Sequence, residues 1–193
     1  MTELEKTIEL YFGELEQAEL TTITSLFEKE TISKGDYFLK TGKRCEKLSF
    51  VQQGLLRIYV ETEKKEVTQW ISTSNSFVTD LSDFLFDTPA RWTIQALTDT
   101  TLFTLQKKNY QALETLVPKW QVLEKLFIAR CFTIMEDRIF SHLSMTAEER
   151  YASFFEANKE LFNQVPLQYI ASLLGMTPET FSRIRNKMTT LNS

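Results

Sequence analysis

At 193 residues, with 42% hydrophobic and 25% charged residues, the chain is long enough for one large or two small domains around a real core. Its net charge of −4 provides no bulk attraction for nucleic acid, and its single histidine, His142, removes nearly every histidine-based metal site and Ser–His or Cys–His triad. Without a glycine-rich phosphate loop or a nucleophile elbow, the reading is of a protein that is not an enzyme.

The first residues, MTELEKTIEL, are too acidic and polar for a signal peptide, and the apolar run LFIARCFTIM is broken by Arg130. These features predict a soluble, cytoplasmic protein with no membrane partner. Cys45 and Cys131 lie far apart and form no CxxC, so free thiols are expected and a cysteine zinc site is not.

Residues 3–28 read as helix, with Leu4, Ile8, Tyr11 or Phe12, Leu15, Leu20, Ile23 and Phe27 on an apolar face and a break near Gln17. From residue 30 to about 106 short β-branched and aromatic runs alternate with turn residues, the texture of a sandwich or jelly-roll barrel. Residues 57–61 and 67–71 alternate across the polar KKE tip as a hairpin, and Gly35, Gly42 and Gly54 fall at strand ends. Residues 109–143 are helical, with a break before Pro118. Beyond that break the apolar residues cover more than one face, so the helix needs two partners. The barrel supplies one; burial within a single core is the alternative to an external second.

Thr146 and Glu149 form a capping box that starts the next helix, and Ser144-Met145 is the expected hinge. Tyr151, Phe154 and Phe155 supply a small core beneath the last two helices. From Pro166, Leu167, Ile170, Ala171, Leu173 and Leu174 form one helical face, Gly175 closes it, and Thr177-Pro178 opens a second helix. With Phe181, Ile184 and Met188 turned inward, rotation by about 100° per residue turns Glu179, Ser182, Arg183 and Asn186 outward, with Arg185 and Lys187 on the flanks. Arginine, asparagine and glutamate read base edges in a major groove, and flanking cations hold phosphates. Thr177 and Thr180, at the helix start, complete the candidate DNA-binding set. The competing reading is an ordinary surface helix. Residues 145–193 carry five basic and five acidic side chains, which counts against nucleic acid.

A family resemblance joins these parts. Gly35-Asp36, Gly42, Phe50-Val51, Gly54 and Arg57 follow the opening pattern of the cyclic-nucleotide-binding β-roll. Ile170-Ala171, Leu174-Gly175, Glu179-Thr180 and Ser182-Arg183 stand where the Crp–Fnr family of bacterial transcription regulators places its helix-turn-helix signature. The whole chain resembles that family. The resemblance implies an α+β protein: a jelly-roll-type β-roll with N-terminal helices over residues 1–117, a dimerisation helix over 118–144 and a small all-α helix-turn-helix domain over 145–193. It also implies a homodimer on double-stranded DNA carrying an inverted repeat, and contact with RNA polymerase. Only five residues come after Met188, so the expected form lacks the family's usual wing.

The departures bear on the ligand. Where cyclic-AMP-binding relatives hold the ribose and the cyclic phosphate, this chain has Thr79-Asp80-Leu81 and Ala90-Arg91. Asp80 is expected to retain an acceptor for a ribose hydroxyl. Ala90 has nothing to offer a phosphate, and Arg91 is expected on the other sheet face. This argues against a cyclic nucleotide and leaves open another small-molecule effector, or none. The N-terminal cysteines of iron–sulfur sensors are missing, and nothing supports haem at His142. Two rival readings are a small-molecule-binding or scaffolding protein whose tail contacts protein, and a cupin-type metalloenzyme, for which one histidine is too few.

Overall fold

The computed structural model describes residues 1–191, with side chains described as far as Met188. Helices α1 (Glu3–Phe12) and α2 (Gln17–Ser25) lead into strands β1 (Glu28–Ile32), β2 (Tyr37–Leu39), β3 (Lys47–Gln53), β4 (Leu56–Glu61), β5 (Glu66–Ser72) and β6 (Ser76–Val78). Helix α3 (Leu81–Phe86) interrupts the strands before β7 (Thr93–Ala96) and β8 (Thr100–Gln106). The rest is helical: α4 (Lys107–Leu116), α5 (Trp120–Ser144), α6 (Ala147–Ala157), α7 (Leu161–Gln164), α8 (Leu167–Leu173) and α9 (Pro178–Leu191).

The strands form two four-stranded sheets, ordered β1-β8-β3-β6 and β2-β7-β4-β5, and every pairing is antiparallel. The facing surfaces enclose Phe38, Val51, Leu56, Ile58, Ile94 and Leu102, with Trp70 and Trp92 packed beside them. The roll interior is thus filled by the chain's own side chains. A second core lies between α1, α2, α4, the start of α5 and the outer face of β3, where Phe12 stacks on Phe127 at 4.7 Å and on Trp120 at 5.4 Å. The third core joins α6, α7, α8 and α9 to Leu55, Ile71 and Leu97 of the roll, with Tyr151, Leu161, Ile170, Phe181 and Ile184 buried together.

The helical stretch expected over residues 3–28 with a break near Gln17 is two helices, the second starting at Gln17, and residue 28 already belongs to β1. The break comes at Gly13, whose φ of +93° suits glycine and whose missing Cβ would lie 2.8 Å from Leu126 of α5. The sequence reading also missed α3. Its start is set by Asp80, whose carboxylate accepts from the Ser82 and Asp83 N–H groups. Pro118 does not open a helix; it lies in the turn before α5, which begins two positions later at Trp120. The capping box of Thr146 and Glu149 forms at the head of α6. The wingless expectation falls partly on Asn192 and Ser193, which lie outside the described residues.

Candidate nucleic-acid interface and effector pocket

Helices α8 and α9 follow one another across a short turn, for the local reasons read in the sequence. Ile170, Ala171, Leu173 and Leu174 are buried, and Gly175 takes φ +69° between the helices. Thr177 caps α9: its hydroxyl accepts from the Thr180 N–H at 3.2 Å, and Pro178 is the first helical residue. Phe181 and Ile184 are buried against α6 and α8, whereas Ser182, Arg183, Arg185, Asn186 and Lys187 are exposed. Glu179 is also exposed, and hydrogen bonds from its own backbone N–H and the Thr177 hydroxyl hold its carboxyl below the usual range. Thr180 is half-buried.

The outward cations differ in their surroundings. Lys187 is bound by Glu148 of α6, with Nζ 2.8 Å from one carboxylate oxygen. Arg183 makes no ion pair among the described residues. Glu148, absent from the sequence-based candidate set, therefore belongs to this surface.

The candidate effector residues come together, but in a self-satisfied form. Asp80 is 2% exposed, and its Oδ2 accepts from the backbone N–H groups of Arg91 at 2.8 Å and Trp92 at 3.4 Å. With the two α3 bonds, its carboxylate collects N–H donors from α3 and from the segment before β7. Asp80, expected to keep an acceptor for a ribose hydroxyl, engages both carboxylate oxygens in helix capping and backbone bonds in this structure. The Thr79 hydroxyl donates to the Lys47 carbonyl at 3.0 Å, Leu81 opens α3, and Ala90 is buried with its N–H on the Lys43 carbonyl. Arg91 precedes β7 and is not in the strand; its exposed guanidinium lies 5.6 Å from the Trp92 ring centroid. The facing argument from strand alternation therefore does not apply to it.

The roll and the helical tail touch. Arg57, fixed by Thr68 Oγ1 at 2.9 Å and Glu66 Oε2 at 2.5 Å, lies between the Tyr59 ring and the Tyr169 ring of α8. The Ser172 hydroxyl accepts from the Thr68 N–H at 2.9 Å, satisfying a backbone donor on edge strand β5. Arg138 of α5 donates to the carbonyls of Gln69 and Leu173 and so spans both bodies.

Residues 29–114 match the family model described as the cyclic nucleotide-binding domain. Comparison with curated proteins finds no match. Among solved structures, the global regulator CLP of Xanthomonas campestris, described as c-di-GMP responsive, matches with a TM-score of 0.70 at 13% identity, covering 92% of this chain and 93% of that one. FixK2 from Bradyrhizobium japonicum matches with a TM-score of 0.69 at 18% identity, covering 86% of each chain. The cAMP-bound PfPKA-R matches with a TM-score of 0.53 at 20% identity; 57% of this chain is covered, and the chain spans only 40% of that protein. At such identities the likeness is one of fold. It extends over nearly the whole chain for the two bacterial proteins and over little more than half for PfPKA-R.

Proposed function

We propose that this protein is a homodimeric, sequence-specific DNA-binding transcription regulator of the Crp–Fnr type that acts without cyclic AMP. The observation that carries the reading is α9: Phe181 and Ile184 are buried, and Ser182, Arg183, Arg185, Asn186 and Lys187 face solvent from a helix set by a glycine turn on α8. Whole-chain likeness to a global regulator supports it. Residues 1–117 serve as the sensor roll, 118–144 as the dimerisation helix and 145–193 as the DNA-binding domain. In this arrangement Arg183 takes guanine, Asn186 takes adenine, and Glu179 accepts from cytosine, with Thr177, Thr180, Ser182, Arg185 and Lys187 nearer the backbone.

Dimerisation is supported by α5, where Val122, Leu126, Phe132, Ile139, Phe140 and Leu143 are exposed in the single chain. A two-fold axis along that face places paired recognition helices on the two halves of an inverted repeat. Independence from cyclic AMP is supported by Asp80, since the donors that an incoming phosphate would need already hold a carboxylate. An anion brought there would be repelled by that carboxylate and would find no serine or threonine at Ala90.

Selection from a randomised duplex pool at moderate salt, run in parallel with Arg183→Ala, tests the reading. The expected result is an inverted repeat enriched by the wild-type protein and lost or relaxed at one base pair by the variant. A folded dimer that enriches no sequence, with or without cell extract, would favour a tail that binds protein.

A further inference from the structure

A cavity of about 550 Å³ opens where the roll, α5, α6 and α8 meet. Its volume falls within the range of small-molecule sites, roughly 300–1,000 Å³. Trp70 and Ile71 of β5 and Phe154 of α6 supply apolar walls, and Arg138, His142 and Arg150 bring polar and cationic atoms to it.

The two arginines set this cavity apart. Of the arginines that are not exposed, Arg57, Arg138 and Arg150, only Arg57 has a carboxylate partner among the described residues. Arg138 donates to the carbonyls of Gln69 and Leu173, and Arg150 to those of Leu174 at 3.2 Å and Met145 at 2.8 Å. Carbonyl dipoles and helix C-termini offset part of such a charge, equivalent to about half an elementary charge per helix end. Two guanidinium groups beside one partly desolvated cavity leave a positive surplus. Burial also lowers the pKa of Arg138, the direction expected for a cation without a counter-ion. Asp137, the acidic residue on the cavity lining, is exposed and lies beyond ion-pair distance of both.

We infer that this cavity is a binding site for a small organic anion with an aromatic or similarly flat apolar body, its acidic group directed at Arg138 and Arg150 and its body against Trp70 and Phe154. The site is separate from the candidate effector residues around Asp80. Its walls come from β5, α5, α6 and α8, so an occupant contacts the roll and the helix-turn-helix at once and favours the arrangement that makes both contacts. The binding site itself stands whether or not α9 reads DNA.

Two probes with the same rings test this: 8-anilinonaphthalene-1-sulfonate, and N-phenyl-1-naphthylamine, which lacks the acid. Binding is followed on the full chain by probe fluorescence and quenching of the protein's tryptophans. The sulfonate is expected to bind once per chain and about tenfold more tightly than the neutral probe, with Arg150→Gln removing most of that preference. Ser153→Trp, a substitution at an exposed position on the cavity lining, is expected to abolish the site while circular dichroism and oligomeric state stay unchanged. Equal affinity for the two probes, or sulfonate binding that survives Ser153→Trp in the folded protein, would overturn the assignment.

Discussion

The Arg57 guanidinium carbon lies 3.6 Å from the centroid of the Tyr169 ring, so strand β4 of the roll and helix α8 of the tail meet through a cation on an aromatic face. Arg57 is only 2% exposed, and a desolvated contact of this kind contributes about 2 kcal/mol. A double-mutant cycle of Arg57→Met and Tyr169→Leu, read by chemical denaturation, should give a coupling of about 1–2 kcal/mol. Glu66, left without its partner, is partly exposed and can be solvated, so it adds little to the coupling. Additivity within about 0.3 kcal/mol would mean that the rings and the guanidinium are merely adjacent.

Asp80 caps α3 and also holds the Arg91 N–H, so Asp80→Ala removes a cap and leaves the buried Asp83 N–H unpaired. The expected loss is about 2–4 kcal/mol of unfolding free energy. Cyclic AMP at millimolar concentration should leave the wild-type melting temperature unchanged. A rise would show that a phosphate can displace the carboxylate, which contradicts the proposed independence.

The α8–turn–α9 pair was legible because its determinants are local: Gly175, Thr177-Pro178 and the spacing of Phe181 and Ile184 all act within one or two turns. The roll was legible as a run of strands, and Gly35, Gly42 and Gly54 all take positive φ at their ends. Helix α3 was not, because six residues are too few for a helical period to stand out among strands, and its start depends on the Asp80 cap. The Lys187–Glu148 pair joins residues 39 positions apart, and the cavity draws on β5, α5, α6 and α8. No periodicity along the chain reports such meetings. The first arises where α9 packs on α6, the second where the tail docks on edge strand β5.

Lys187 is held by Glu148, and a phosphate must compete with that carboxylate. Glu148→Gln should therefore strengthen binding to every DNA sequence alike and steepen the salt dependence by about one counterion, a slope change near 0.9. Lys187→Ala in the same background should reverse both effects. The capping partner of α6 is Glu149, not Glu148, so the helix start stays intact. A gain confined to one sequence would assign Lys187 to base reading.

Burial pushes the Tyr59 phenol up from 10.0 to about 12 and the Cys131 thiol up from 9.0 to about 11. Both groups are raised, so the folded state keeps protons that the unfolded chain releases. Their contribution to stability is full below the unfolded values and is lost as pH rises through the folded ones. Denaturation midpoints should hold to about pH 9 and fall between about pH 9 and pH 12. Tyr59→Phe should flatten the upper part of that fall. An unchanged slope in Tyr59→Phe would mean that other groups carry the alkaline transition.

The outer face of α5 leaves Phe140 70% and Leu143 81% exposed, with Phe132 and Ile139 beside them. Each large apolar side chain gains about 1.5–3 kcal/mol when fully buried, a driving force for a second α5 to cover this face. Around a two-fold axis any substitution enters the interface twice, so Phe140→Glu removes two apolar groups and brings in two like charges. The dimer dissociation constant should rise by about a hundredfold or more, read by sedimentation at falling concentration. Stability of the isolated chain should change by no more than about 0.5 kcal/mol, because the position is exposed there. Binding to a half-site should then survive better than binding to the inverted repeat, since each recognition helix stays intact and only their spacing is lost. A variant that remains dimeric would place the interface elsewhere and leave the exposed apolar stripe on α5 to another partner.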